Sequence, residues 1–73
     1  IMNISKNFKI QLNGKNYQVR QGYNVQMLLK KLKIKNNKAA VEINGQILDK
    51  KKYNKINLKK NDKVEIVHFI GGG

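Results

Sequence analysis

The sequence contains no cysteine, no proline and no tryptophan, and a single histidine, His68. Without cysteine there is no disulfide scaffold and no thiolate nucleophile, and one histidine beside four scattered acids excludes a multi-residue zinc site. Without proline, and with no low-complexity stretch or internal repeat, nothing marks a linker, so residues 1–73 are read as one domain. No run of about 18 apolar residues is present to span a bilayer, and no charged-then-apolar leader precedes the first strand-like segment. The chain is expected to be soluble and intracellular, with no membrane partner, and Ile1, ahead of Met2, is set aside as an extra residue. A domain this short buries only about 60% of the surface its unfolded chain exposes, so it has room for one thin core. A pocket deep enough to enclose a substrate would consume that core, and catalysis by the chain alone is not expected.

Acid is scarce as well: 4 Asp+Glu stand against 16 Lys+Arg, for a formal net charge of +12. Such a balance ordinarily suggests a nucleic-acid or other anionic partner. Only Arg20 is an arginine, however, although arginine reads bases and phosphates bidentately, and the lysines are spread along the chain without forming one stripe. Asparagine and isoleucine are also abundant, and Lys, Asn and Ile are the residues that AT-rich codons specify. The charge is therefore read as genome bias expressed in solvated lysines, as in a low-GC bacterial cytoplasm or a plastid stroma, and nucleic acid is not expected among the partners. A small basic nucleic-acid-binding module is the alternative from a different functional class.

What is present is strong periodicity. Phe8, Ile10 and Leu12 alternate with Lys9 and Gln11, Asn13-Gly14 supplies a tight turn, and Tyr17 and Val19 resume the alternation, so residues 7–21 read as a β-hairpin. Asn24 can cap a helix whose apolar residues Val25, Leu28, Leu29 and Leu32 fall at i, i+3, i+4 and i+7, predicting a helix over residues 25 to 34 or 35 that Asn36-Asn37 ends. Ala39, Val41 and Ile43 form a third strand, Asn44-Gly45 a second turn, and Ile47-Leu48 a short fourth strand. Tyr53 is expected to pin the lysine-rich stretch 50–55 to the core beside Ile56 and Leu58. Asn61-Asp62 makes another turn before a last strand over residues 63–69. That strand is apolar on both faces, as a central strand is, with Val64 and Ile66 toward the helix and Val67 and Phe69 on the uncovered side. The order ββαββ, an irregular stretch, then β implies an α+β domain, the β-grasp fold: one mixed sheet of about five strands with one main helix on one face. An exposed apolar patch at Val67 and Phe69 marks a binding surface.

Side chains offer little chemistry. His68 has no second acid, base or nucleophile spaced to work with it and reads as a structural or interface residue. Glu42, Asp49, Asp62 and Glu65 fall singly on separate elements, and no carboxylate pair is suggested. Gly71, Gly72 and Gly73 lack the Lys and Ser/Thr of a phosphate loop. Two readings of these glycines stand side by side: a frayed terminus, or a flexible tail without Cβ atoms that threads a narrow channel and delivers its terminal carboxylate to another enzyme.

At these residues the chain resembles the thiamine-biosynthesis sulfur carrier family ThiS, ubiquitin-like β-grasp proteins. The resemblance runs from about Phe8 to Gly73 and is carried by Gly22-Tyr-Asn-Val25 leading to Leu28-Leu29-Lys-Lys-Leu32, by Ala40-Val-Glu-Ile-Asn44-Gly-Gln-Ile47, by Asn61-Asp62, and by Val64-Glu-Ile-Val-His-Phe-Ile70-Gly-Gly-Gly73. Asn61 departs from the family's usual Gly, Asp49 stands where Pro is common, and residues 2–7 extend beyond the family's usual start. The resemblance implies that a ubiquitin-activating-like adenylyltransferase uses ATP and Mg²⁺ to adenylate the carboxylate of Gly73, next to Gly72. Sulfur from a cysteine desulfurase persulfide then gives a thiocarboxylate that thiazole synthase consumes. The chain itself is expected to hold no cofactor or metal. Val67, Phe69, Ile70 and Gly71 are the expected partner-binding residues. The nearest alternative within this fold is a sulfur carrier of the type of the molybdopterin synthase small subunit.

Overall fold

A computed structural model describes residues 6–70 of the chain. The readings of residues 2–5 as an extension of the first strand and of Gly71, Gly72 and Gly73 as a flexible tail lie outside the described residues. Strands β1 (Asn7–Leu12) and β2 (Lys15–Arg20) pair antiparallel with Phe8 opposite Val19 and Ile10 opposite Tyr17. The turn between them places Asn13 at φ 50° and Gly14 at φ 82°, two successive left-handed residues, which is why the Asn-Gly pair closes the hairpin. The same device recurs at Asn44 and Gly45, with φ 52° and 86°, between β3 (Ala39–Ile43) and β4 (Gln46–Ile47). Strand β5 (Lys63–His68) lies parallel to β1 and antiparallel to β3, giving the order β2-β1-β5-β3-β4. The last strand is thus the central one, as its two-sided apolar sequence demands.

Helix α1 (Val25–Lys31) covers one face of this sheet. Asn24 caps it, its side-chain oxygen accepting from the Met27 N–H at 2.8 Å. The helix stops about three residues short of the length expected from its apolar period. Lys33 adopts φ 62°, the Lys33 N–H donates to the Lys30 carbonyl, and the Ile34 N–H donates to the Leu29 carbonyl. This is a Schellman stop, with Lys33 in the left-handed position that glycine occupies at least cost. Asn36 and Asn37 accordingly do not end the helix; they belong to a separate 3₁₀ turn, Asn36–Lys38.

Val25, Leu28 and Leu29 from α1 meet Ile10, Val19, Ala39, Val41, Val64 and Ile66 from the sheet, all buried. Leu32, Phe8, Leu12 and Tyr17 pack around this core half-buried, so the first hairpin is only partly sealed. Tyr53 follows a 3₁₀ turn, Lys50–Lys52, that Asp49 caps, and is only 1% exposed. Its hydroxyl donates to the Ala39 carbonyl at 3.1 Å and its own carbonyl accepts from the Gln26 N–H at 3.0 Å. One residue therefore ties the lysine-rich loop to both the sheet, through its hydroxyl, and the helix, through its backbone carbonyl. The fourth strand is shifted one residue from its expected place: Gln46–Ile47 pair with β3, while Leu48 bends inward, half-buried.

Candidate functional site

The place of β5 in the sheet is fixed in part by side-chain amides on two turns. Strand β1 pairs with β5 at Gln11↔Lys63 and Leu12↔Val64; beyond that point Asn13 replaces it, its Oδ1 accepting from the Ile66 N–H at 2.8 Å. At the other end, Asp62 accepts from the Lys59 N–H at 2.8 Å and from the Asn44 side-chain amide at 3.0 Å, while Asn44 Oδ1 accepts from the Lys63 N–H at 2.9 Å. The start of the strand is thereby clamped to the β3–β4 turn. The Phe69 N–H donating to the Lys38 carbonyl at 2.7 Å is the last backbone bond that holds the chain to the sheet among the described residues.

The pleat of β5 puts Val64 and Ile66 under the helix and Glu65, Val67 and Phe69 on the uncovered face. Val67 is 59% exposed, Phe69 46% and Ile70 86%, so the expected apolar patch exists and lies at the root of the three final glycines. Ile47 on β4, at 79%, extends it across the sheet. Between Val67 and Ile47 the same face carries Glu42 and Glu65, directly opposite each other across β3 and β5. The sequence suggests no carboxylate pair; sheet register unites two acids that are 23 positions apart in it. Like charges directly opposite in an antiparallel ladder repel. Neither carboxylate has a hydrogen bond or ion pair among the described residues.

His68 shares the pleat side of Val64 and Ile66 but lies exposed at the strand end, opposite Ala39. The described residues contain no group of three His, Cys, Asp or Glu side chains that could hold a metal, and no helix among them is long and apolar enough to cross a membrane. Burial pushes the Tyr53 phenol above its ordinary value, the Val41 backbone opposes this, and the Asp49 carboxylate adds to it. That group serves the fold. Among the described residues the arrangement places an apolar face where β5 leaves the sheet and brings together no nucleophile and base.

The sequence model of the ThiS family matches residues 10–73. The chain belongs to the ThiS family. The Bacillus subtilis sulfur carrier protein ThiS is 38% identical over 65 residues, covering 88% of this chain and 98% of that protein. A crystal structure of the thiamine biosynthesis protein ThiS from Geobacter metallireducens superposes with a TM-score of 0.72 at 34% identity, over 90% of this chain and all of that one. The architecture is thereby shown as ubiquitin-like β-grasp. A thiazole synthase of Magnetococcus marinus is 38% identical over 65 residues, covering 89% of this chain, yet the match spans only 20% of that longer protein. ThiS-family sequence thus also occurs inside a thiazole synthase chain.

Proposed function

We propose that the chain carries sulfur for thiazole formation in thiamine biosynthesis as a thiocarboxylate on Gly73. A carboxylate is a poor electrophile until it becomes a mixed anhydride, and the groups that activate it can reside entirely on a partner. An adenylyltransferase related to ubiquitin-activating enzymes would supply ATP and Mg²⁺ and form the acyl adenylate with loss of pyrophosphate. The outer sulfur of a persulfide from a cysteine desulfurase then displaces AMP to give an acyl disulfide. A second thiol cleaves its S–S bond and leaves as a disulfide, and thiazole synthase takes the sulfur from the resulting thiocarboxylate. The observation that carries the reading is the continuity of the central strand: β5 runs from the clamped turn at Asp62, past the exposed Val67, Phe69 and Ile70, directly into Gly71, Gly72 and Gly73. An apolar face at that place docks a partner so that the glycines enter its active site. The occurrence of a ThiS-family stretch inside a thiazole synthase supports thiazole synthase as one of those partners.

The test is incubation of the chain with an activating enzyme, ATP, Mg²⁺, a persulfide donor and a thiol, followed by intact-mass spectrometry. Exchange of one oxygen for sulfur adds about 16 Da, as acyl activation followed by sulfur attack requires. A chain that gains no such mass while an established ThiS does so in the same mixture would refute the proposal.

A further inference from the structure

We infer that a strip of cations along α1 and the turn after it binds single-stranded nucleic acid through the phosphate backbone. Lys30 stands on the last turn of α1, Lys33 is the left-handed residue of the helix stop, and Lys35 precedes the next 3₁₀ turn. The stop folds the chain back on itself, so that these three lysines line one open concavity of about 510 Å³. That trough adjoins two further depressions. Lys30 is shared with the second, where Lys31 and Tyr23 also lie, and Lys31 and Tyr23 are shared with the third, which Arg20 completes. The five cations and the tyrosine therefore form one continuous path and not separate spots.

Sign and chemistry both point to a polyanion. No acidic residue precedes Glu42 in the sequence, so β1, β2 and α1 carry positive charge without a single carboxylate. Among the described residues no ion pair or hydrogen bond engages the ammonium groups of Lys30, Lys33 or Lys35. Their mutual repulsion is therefore not relieved from within the described chain, and a ligand with regularly spaced negative charge relieves it. The trough is open and shallow, whereas a small ligand depends on enclosure; a polymer lying along the strip does not. Lysines give point charges that hold phosphates without the rigid fork that reads bases, so the binding is sequence-tolerant. Tyr23 lines two of the three depressions, placing an aromatic ring beside the phosphate path as single-strand binders do. Lys31 Nζ lies 5.3 Å from the Tyr17 ring centre and 5.9 Å from that of Tyr23, which holds the middle of the strip in place. The four lysines of this strip lie on the helix and the turn after it, away from Val67 and Phe69 on the uncovered sheet face, while Arg20 stands on the edge strand β2, so the lysines can be occupied while the other face docks an enzyme, and the inference stands whether or not Gly73 carries sulfur.

The experiment is fluorescence anisotropy of the full chain with a labelled single strand of 20 nucleotides, repeated over a range of salt. Two triple variants of equal charge are compared: K30Q/K33Q/K35Q in the strip, and K50Q/K51Q/K52Q on the 3₁₀ turn elsewhere. Saturable binding by the unchanged chain is expected, with a loss of at least tenfold in the strip variant. Its log–log salt slope should be shallower by about 2, since each lost contact to a single strand removes about 0.7. The second triple should stay within about threefold of the unchanged chain. Equal losses in both triples would show a response to net charge alone and overturn the proposal, as would the absence of saturable binding. Displacement of the strand by polyglutamate of equal charge at equal concentration would assign the strip to an acidic protein instead, and overturn it too. Should circular dichroism show the strip triple unfolded, K35Q alone, outside α1, carries the same test with about one-third of the slope change.

Discussion

Removing one oxygen atom tests how the lysine-rich loop is held. Tyr53→Phe keeps the ring in its buried place and deletes only the hydroxyl that donates to the Ala39 carbonyl at 3.1 Å. That carbonyl sits on a buried residue of β3 and faces away from β5, because Ala39↔His68 is a wide pair in the ladder whose neighbour, Lys38 to Phe69, is hydrogen-bonded. Leaving it without the phenol costs about 1–3 kcal/mol. A chain of 73 residues has about 4–11 kcal/mol in total, so the loss is a substantial share and lowers the melting midpoint by about 4–8 °C per kcal/mol. The effect also depends on pH in a defined direction. Burial raises the phenol's pKa in the folded chain, so the folded state holds this proton more tightly than the unfolded one. The stabilisation is then fully present below the ordinary value of 10.0 and is lost as pH rises through the higher folded value. Urea denaturation of both proteins from about pH 8 to pH 11.5 should show a gap that is constant up to about pH 9 and narrows above about pH 10. Comparing the two proteins isolates the one group in which they differ. A Tyr53→Phe protein that melts within a degree or two of the unchanged chain, or a gap that widens with pH, would refute this account of the loop.

Three further outcomes are expected. Leu29→Ala removes a fully buried side chain from the helix–sheet core and should destabilise by about 2–5 kcal/mol in chemical denaturation. Lys33→Gly relieves a side chain held at φ 62° and should raise stability by about 0.5–1 kcal/mol in the same assay, whereas Lys33→Val should lower it. Phe69→Ala should weaken binding to the activating enzyme and to thiazole synthase by about 1–4 kcal/mol in titration calorimetry while the melting curve stays in place; a lost fold would instead make Phe69 part of the core.

Where local chemistry and tertiary demand agreed, the elements could be read before the fold was seen. Asn13-Gly14 and Asn44-Gly45 adopt the positive φ pairs their residue types favour, Asn24 caps its helix, and β5 is central because both its faces are apolar. The helix end was missed because Lys33 carries none of the signals of a stop; the left-handed turn is imposed by Ile34 packing back toward the core and not by local preference. The Glu42–Glu65 pair was invisible for another reason, since it is created by the register between β3 and β5, which no single segment encodes. Lys30, Lys33 and Lys35 stand within six residues of one another in the sequence, but that they share one rim is decided by the helix stop at Lys33. The exposed face at Val67 and Phe69 was readable from alternation alone, whereas its extension to Ile47 depended on the pairing of β4.

The central claim rests on the carboxylate of Gly73, and one comparison tests it most directly. Three forms of the chain are incubated with activating enzyme, ATP, Mg²⁺, a persulfide donor and a thiol: the free acid, the C-terminal amide, and a form extended by one residue beyond Gly73. Intact-mass spectrometry should show the gain of about 16 Da on the free acid alone, because only there can the glycine carboxylate form the mixed anhydride. The amidated and extended forms should keep the same melting midpoint and the same affinity for the enzyme. If either gains sulfur as efficiently as the free acid, Gly73 does not carry the function and the account is wrong.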